Sequence, residues 1–110
     1  MNNDLNTVIN TLSTNELEEH YNLPQAHGDQ QFFLHKGAPL HDMLELKKAF
    51  ETMSQEQYDF HVTKEKNDFA AWVEFVLQDK QCARALHKAR TIKTSIRAID
   101  RYLERYKKYA

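Results

Sequence analysis

Between Asn67 and Asp79 the chain reads N-D-F-A-A-W-V-E-F-V-L-Q-D, and this stretch constrains the fold more than any other. It holds the single Trp and two of the six Phe. At about 100° per residue, Phe69, Trp72, Val73 and Val76 share one helical face. Phe75 and Leu77 widen that face to roughly 200°, more than a surface helix needs. Only Glu74 points clearly away, flanked by Ala70 and Ala71. Such a helix must be covered on two or three sides, so it is expected to be central and to span about 67–78. Asn67 or Asp68 can cap its first orphan N–H groups, and Asp79 can cap the next helix. Trp, Val and Phe also favour strands. Helical periodicity and the paired alanines argue for the helix.

Few residues in this chain break helices. Gly and Pro number two each among 110 residues, which opposes a turn-rich β-fold. With 41% apolar residues the chain can build one modest core. The expected fold class is all-α: a compact multi-helix bundle with a long amphipathic C-terminal helix. No run of 18 apolar residues occurs, so no membrane span is expected. The opening M-N-N-D-L-N lacks the basic-then-apolar order of a secretory signal. Cys82 is the lone cysteine and suits a reducing compartment. A cytoplasmic location is the expectation.

The chain divides into an N-terminal helical arm and loop over residues 1–31 and a helical domain over 32–110. Leu5, Val8, Ile9 and Leu12 have amphipathic spacing, and Ser13-x-x-Glu16 is a capping-box pattern. The two helices they mark, or one continuous helix, end before Pro24. Residues 22–31 read as a loop. Phe32 to His35 form a short extended apolar run, expected to be buried, and Lys36-Gly37-Ala38-Pro39 a turn. Helices are expected over 40–53 and, from the Ser54-x-x-Gln57 capping box, to about His61. Further helices are expected over 80–90 and, capped by Thr91, over 92–109. The last carries a narrow seam of Ile92, Ile96, Ile99, Leu103 and Tyr106.

Residues 32 to about 89 resemble a family of small helical domains of unknown function in bacterial and archaeal proteins. The likeness is carried by Phe32, Phe33, Leu44, Leu46, Met53, the step Phe60-His61-Val62, the run Asn67-Asp68-Phe69-x-x-Trp72, and Asp79. It implies a compact α-helical module, often attached to other domains, and supplies no activity or catalytic residues. The first 31 residues and the tail after Arg90 lie outside it.

The charge is strongly polarised. Residues 1–79 carry 5 Lys/Arg and 14 Asp/Glu, a net −9, whereas residues 80–110 carry 10 and 2, a net +8. Arg90, Lys93, Arg97, Arg101, Arg105 and Lys108 recur at intervals of three and four, forming one stripe roughly opposite the Ile/Leu seam. Tyr102 and Tyr109 flank it, and Asp100 and Glu104 interrupt its other edge. Such a stripe can face phosphates or an acidic protein, or be a solvated face with pairs such as Glu104–Lys108.

The six His include no paired zinc motif, and no metal or other cofactor is expected. His35, His41 and Asp42 lie near one turn but lack metal-ligand spacing. His61 has two readings. It is a latch joining the linker to Asn67 and Asp68, or a general base beside a pocket of Trp72 and Phe33. The latch is preferred, because no nucleophile or oxyanion motif accompanies it. Cys82 falls on an inward face, as an inert thiol. With only Gly28 and Gly37, no phosphate loop exists. No catalytic residues are expected. The functional expectation is a non-enzymatic protein–protein interaction module, for which the apolar seam of the last helix and the opposite charges of the two regions make self-association plausible. The alternative is nucleic-acid binding through the basic C-terminal helix.

Overall fold

The computed structural model describes residues 20–108. The helices expected within residues 1–19 lie outside them. Two short strands precede the α-helices, β1 (Phe32–Phe33) and β2 (Pro39–Leu40). Five α-helices follow: α1 (Met43–Thr52), α2 (Gln55–His61), α3 (Asp68–Phe75), α4 (Lys80–Ala89) and α5 (Ile92–Leu103). Single 3-10 turns occupy Gly28–Gln30 and Glu104–Tyr106. The described residues are thus a mostly helical compact domain with a small antiparallel sheet, which pairs Phe32 with Leu40 and Phe33 with Pro39. None of their helices is long and apolar enough to cross a membrane.

Local chemistry sets the helix starts. Ser54 forms a full capping box with Gln57, whose side chain returns to the Ser54 N–H at 2.9 Å. Asn67 caps α3 by accepting from the Ala70 N–H at 3.0 Å. Asp79 caps α4 and Thr91 caps α5 in the same way. The helix expected over 40–53 begins three residues later, at Met43. Leu40 is spent in β2, and the buried Asp42 caps from outside by accepting the Glu45 N–H at 2.8 Å.

Phe69 sits at the centre of the core. Its ring stacks on Phe32 at 4.9 Å and on Tyr58 at 5.9 Å, and meets Phe50 edge-on at 5.0 Å. Trp72 is buried nearer the surface, where its indole N–H donates to the Gln30 carbonyl at 2.8 Å. Two expectations about this helix need correction. It ends at Phe75, not near 78, because Gln78 takes a left-handed φ of 62° and turns Leu77 into the core. Phe75 does not widen the buried face and is 73% exposed. The neighbouring α4 covers the Ala70 side instead, where Ala70 and Ala83 are both buried. In β1 only Phe32 is buried, while Phe33 is 59% exposed, as alternation along a strand requires.

The boundary expected at residue 31 is crossed by several contacts. Ala26 is buried, its N–H donates to the His41 carbonyl at 2.8 Å, and Gln25 reaches Asp42 at 3.2 Å. Tyr21 pairs with Lys107 as an isolated bridge, and the Lys108 N–H donates to the His20 carbonyl at 2.9 Å. This pairing also explains why the helix expected over 92–109 stops at Leu103. The backbone at 107 must be extended to pair with residue 21, so the helix tightens into one 3-10 turn and ends. Among the helices, α4 packs between α3 and α5, and α5 packs between α4 and α1. A Lys47–Asp100 ion pair at 2.7 Å joins α1 to α5.

Candidate binding groove

Helices α4 and α5 form a hairpin joined by only Arg90 and Thr91. Arg90 takes a left-handed φ of 64° that reverses the chain, and Thr91 restarts it as the α5 cap. The hairpin is fastened at both ends. Thr94 donates its hydroxyl to the Ala89 carbonyl near the turn. At the open end Arg105 donates to the Gln81 side chain, and the Tyr106 O–H donates to Asp79 at 2.6 Å. The helices are therefore antiparallel. Their inward faces are Cys82, Ala83 and Leu86 on one side and Ser95, Ile99 and Leu103 on the other.

Along the outer side runs a groove with two hollows, of about 310 and 320 Å³. Ala85, Lys88 and Arg101 border both. The first adds Gln81, Arg84 and Tyr102, and the second adds Ala89, Thr94, Arg97 and Ala98. Small apolar residues make the floor, and Arg84, Lys88, Arg97 and Arg101 make the rim. Among the described residues no carboxylate lines either hollow. None of these four cations forms an ion pair among the described residues. All 15 Lys/Arg but only 12 of the 16 Asp/Glu lie within residues 20–108, so this part of the chain carries +3.

The basic stripe read from the sequence is divided by the structure. Arg97, Arg101 and Tyr102 line the groove. Arg105 lies over the Tyr102 ring at 4.8 Å and closes the groove end through Gln81. Arg90 turns back to donate to the Thr63 carbonyl at 3.1 Å, fixing the linker before α3. Lys93 and Lys108 are exposed and line neither hollow. The expected Glu104–Lys108 pair gives way to Glu104–Lys107 at 2.9 Å, because the helix has ended. Arg84 and Lys88 lie outside the stripe, and their sequence signal is the spacing of Lys80, Arg84 and Lys88 at intervals of four on one face of α4.

His61 occupies a separate site at the end of α2. Its Nε2 accepts the His35 N–H at 3.0 Å, so Nδ1 carries the hydrogen and donates to Asp68 at 3.0 Å. Asp68 also takes Lys66 at 2.9 Å. The adjacent Asn67 side chain donates to the Leu86 carbonyl at 3.2 Å while it caps α3, tying α3 to α4. The His61 ring packs against Phe32 and Phe69. With both nitrogens bonded, His61 has no lone pair free for base catalysis. The pocket imagined between Trp72 and Phe33 does not form, since it is Phe32 that meets Trp72, at 5.6 Å.

Cys82 is buried, and burial followed by the nearby Asp79 charge pushes its thiol up to about 12. It stays protonated near neutrality and is a poor nucleophile. His35 stacks on Phe60 at 3.8 Å and His41 pairs with Glu45 at 2.7 Å. Among the described residues no group of three His, Cys, Asp or Glu could hold a metal ion.

Fold and surface together define, among the described residues, a mostly helical domain that carries a cationic, alanine-floored groove. No family model, curated protein or solved structure matches the chain.

Proposed function

We propose that the chain is a non-enzymatic binding module that receives an acidic amphipathic helix of a protein partner in the α4/α5 groove. The observation that carries this reading is the pairing of an alanine floor with four rim cations that form no ion pair among the described residues. An apolar stripe flanked by carboxylates is complementary to that surface. Phosphates alone would need no apolar floor. Cations without local carboxylates also raise the encounter rate of an acidic partner. If the partner is a second copy, self-association follows.

Fluorescence anisotropy with a labelled amphipathic helix of Leu, Ala and Glu tests the reading. Binding should be seen at low salt and weaken as salt rises. Arg97→Glu with Arg101→Glu should weaken it by about tenfold or more, and exchanging Glu for Lys in the helix should abolish it. No binding, or binding indifferent to the Arg pair, overturns the reading. A second reading, nucleic-acid binding, rests on Tyr102 lying beside Arg105 and Arg101 at the groove mouth. It requires a steep salt dependence with single-stranded DNA or RNA, and falls if neither binds at low salt.

A further inference from the structure

Among the described residues three large apolar side chains are exposed, Phe33, Phe60 and Phe75, and Phe75 is the most exposed at 73%. Phe60 has His35 stacked on one face at 3.8 Å. Phe75 stands at the end of α3 as a ridge between two hollows, of about 440 and 750 Å³, and lines both. The apolar arc of α3 is thus wider than the domain covers: Phe69, Trp72 and Val73 are buried, and Phe75 is left outside.

The smaller hollow lies between α3 and α4 and has Ala70, Ala71 and Ala83 as its apolar floor. These side chains are too short to fill the space beside Phe75. An apolar knob and an apolar recess therefore adjoin on one surface.

Charge selects what covers this surface. Lys66 and Asp68, also on the wall of the recess, pair with each other at 2.9 Å. Glu74 and Lys80 border both hollows and form no ion pair among the described residues. An acidic partner would set a like charge against Glu74, and a basic partner would set one against Lys80. A second copy turned about a two-fold axis offers each residue its opposite, because in such a contact residue i meets j while j meets i.

We infer that two copies of the chain pair symmetrically through this α3/α4 face. Each Phe75 enters the alanine recess of the other copy, and Glu74 pairs with Lys80 across the axis in both directions. This contact is separate from the α4/α5 groove and does not rest on its proposed role.

Sedimentation velocity of the full chain over a range of concentrations tests the inference. The wild type should show a dimer that dissociates on dilution. Phe75→Gln should weaken association by about tenfold or more, with the melting of dilute protein unchanged. Glu74→Lys and Lys80→Glu should each weaken it by about tenfold, since like charges then face each other across the axis. Glu74 lies near the C-terminus of α3 and Lys80 opens α4, so both reversals suit the helix dipoles and leave the fold intact. Mixed in equal amounts, the two charge variants should associate as tightly as the wild type, because Lys then meets Glu at both ends of the mixed pair. A wild type that stays monomeric at about 1 mM overturns the inference. So does a mixture no tighter than its components, or a dimer that Phe75→Gln leaves intact. If Arg97→Glu with Arg101→Glu dissociates such a dimer instead, the contact lies in the α4/α5 groove, and the inference falls while the groove reading stands.

Discussion

The phenol of Tyr106 donates a hydrogen bond to the carboxylate of Asp79 at 2.6 Å across 27 residues of chain. Asp79 accepts the Cys82 N–H with its other oxygen. One side chain therefore both starts α4 and holds the end of α5 against it, which keeps the groove walls in register. Tyr106→Phe removes only the tie and should cost about 1–2 kcal/mol in urea denaturation. Asp79→Ala removes the tie and the cap and should cost more, by about 1 kcal/mol.

The aromatic core should respond in a definite order. Phe69 is only 1% exposed and touches the rings of Phe32, Phe50, Tyr58 and His61, so Phe69→Ala should cost about 3–5 kcal/mol. Trp72→Phe keeps most of the apolar volume and loses the bond to Gln30, a cost of about 1–2 kcal/mol. Denaturant midpoints for the two variants check the ranking. A larger loss for Trp72→Phe would mean that the indole, not Phe69, centres the core.

Stability should fall at alkaline pH. Burial pushes the phenols of Tyr58 and Tyr106 and the thiol of Cys82 above their ordinary values. Burial pulls Lys47 down, but Asp100 outweighs it and holds the ammonium above its ordinary range. For the three acids the unfolded chain loses its protons first as pH rises. For Lys47 the folded chain holds its proton longer. In both cases the folded state binds more protons than the unfolded state, so stability drops with rising pH. The contribution is complete below about pH 8 and declines from about pH 9 upward, through the ordinary Cys, Tyr and Lys values. Thermal melts across this range should show the decline, and Tyr106→Phe should flatten it.

Cys82 should react slowly with a disulfide reagent in the folded state at neutral pH and fully after denaturation. Its burial and raised pKa both suppress the thiolate. Rapid labelling of the native chain would contradict the packing of α4 against the core.

The His61 latch should be structural and directional. His61→Ala strips the partner from the His35 N–H and from Asp68, and should cost about 1–3 kcal/mol. Asp68→Asn keeps an acceptor for Nδ1–H and should cost less than about 1 kcal/mol. Chemical denaturation of both variants provides the comparison, and equal losses would place the burden on Asp68 instead.

Features that depend on residues near one another in sequence are legible in it. The Ser54 box, the Asn67, Asp79 and Thr91 caps, the inward set Cys82, Ala83 and Leu86, and the contact from His61 to Asp68 depend on partners a few positions away. Arg97, Arg101 and Tyr102 were legible as one side of α5 for the same reason. Arg84 and Lys88 were not joined to them, because nothing local says which side of α4 meets α5.

The amino-acid order alone therefore determined a helical domain, its caps, its apolar inward residues and the cationic bias of its C-terminal third. These follow from backbone hydrogen bonding and from side chains repeating every three or four positions. Only tertiary packing decided that Ala70 is covered and Phe75 is not, that Phe32 pairs with Leu40, and that α5 ends where residues 20–22 claim its backbone. It also decided which cations share a groove. Each of these outcomes depends on which distant surfaces fill one another's space, and a periodic pattern specifies a face without naming its neighbour.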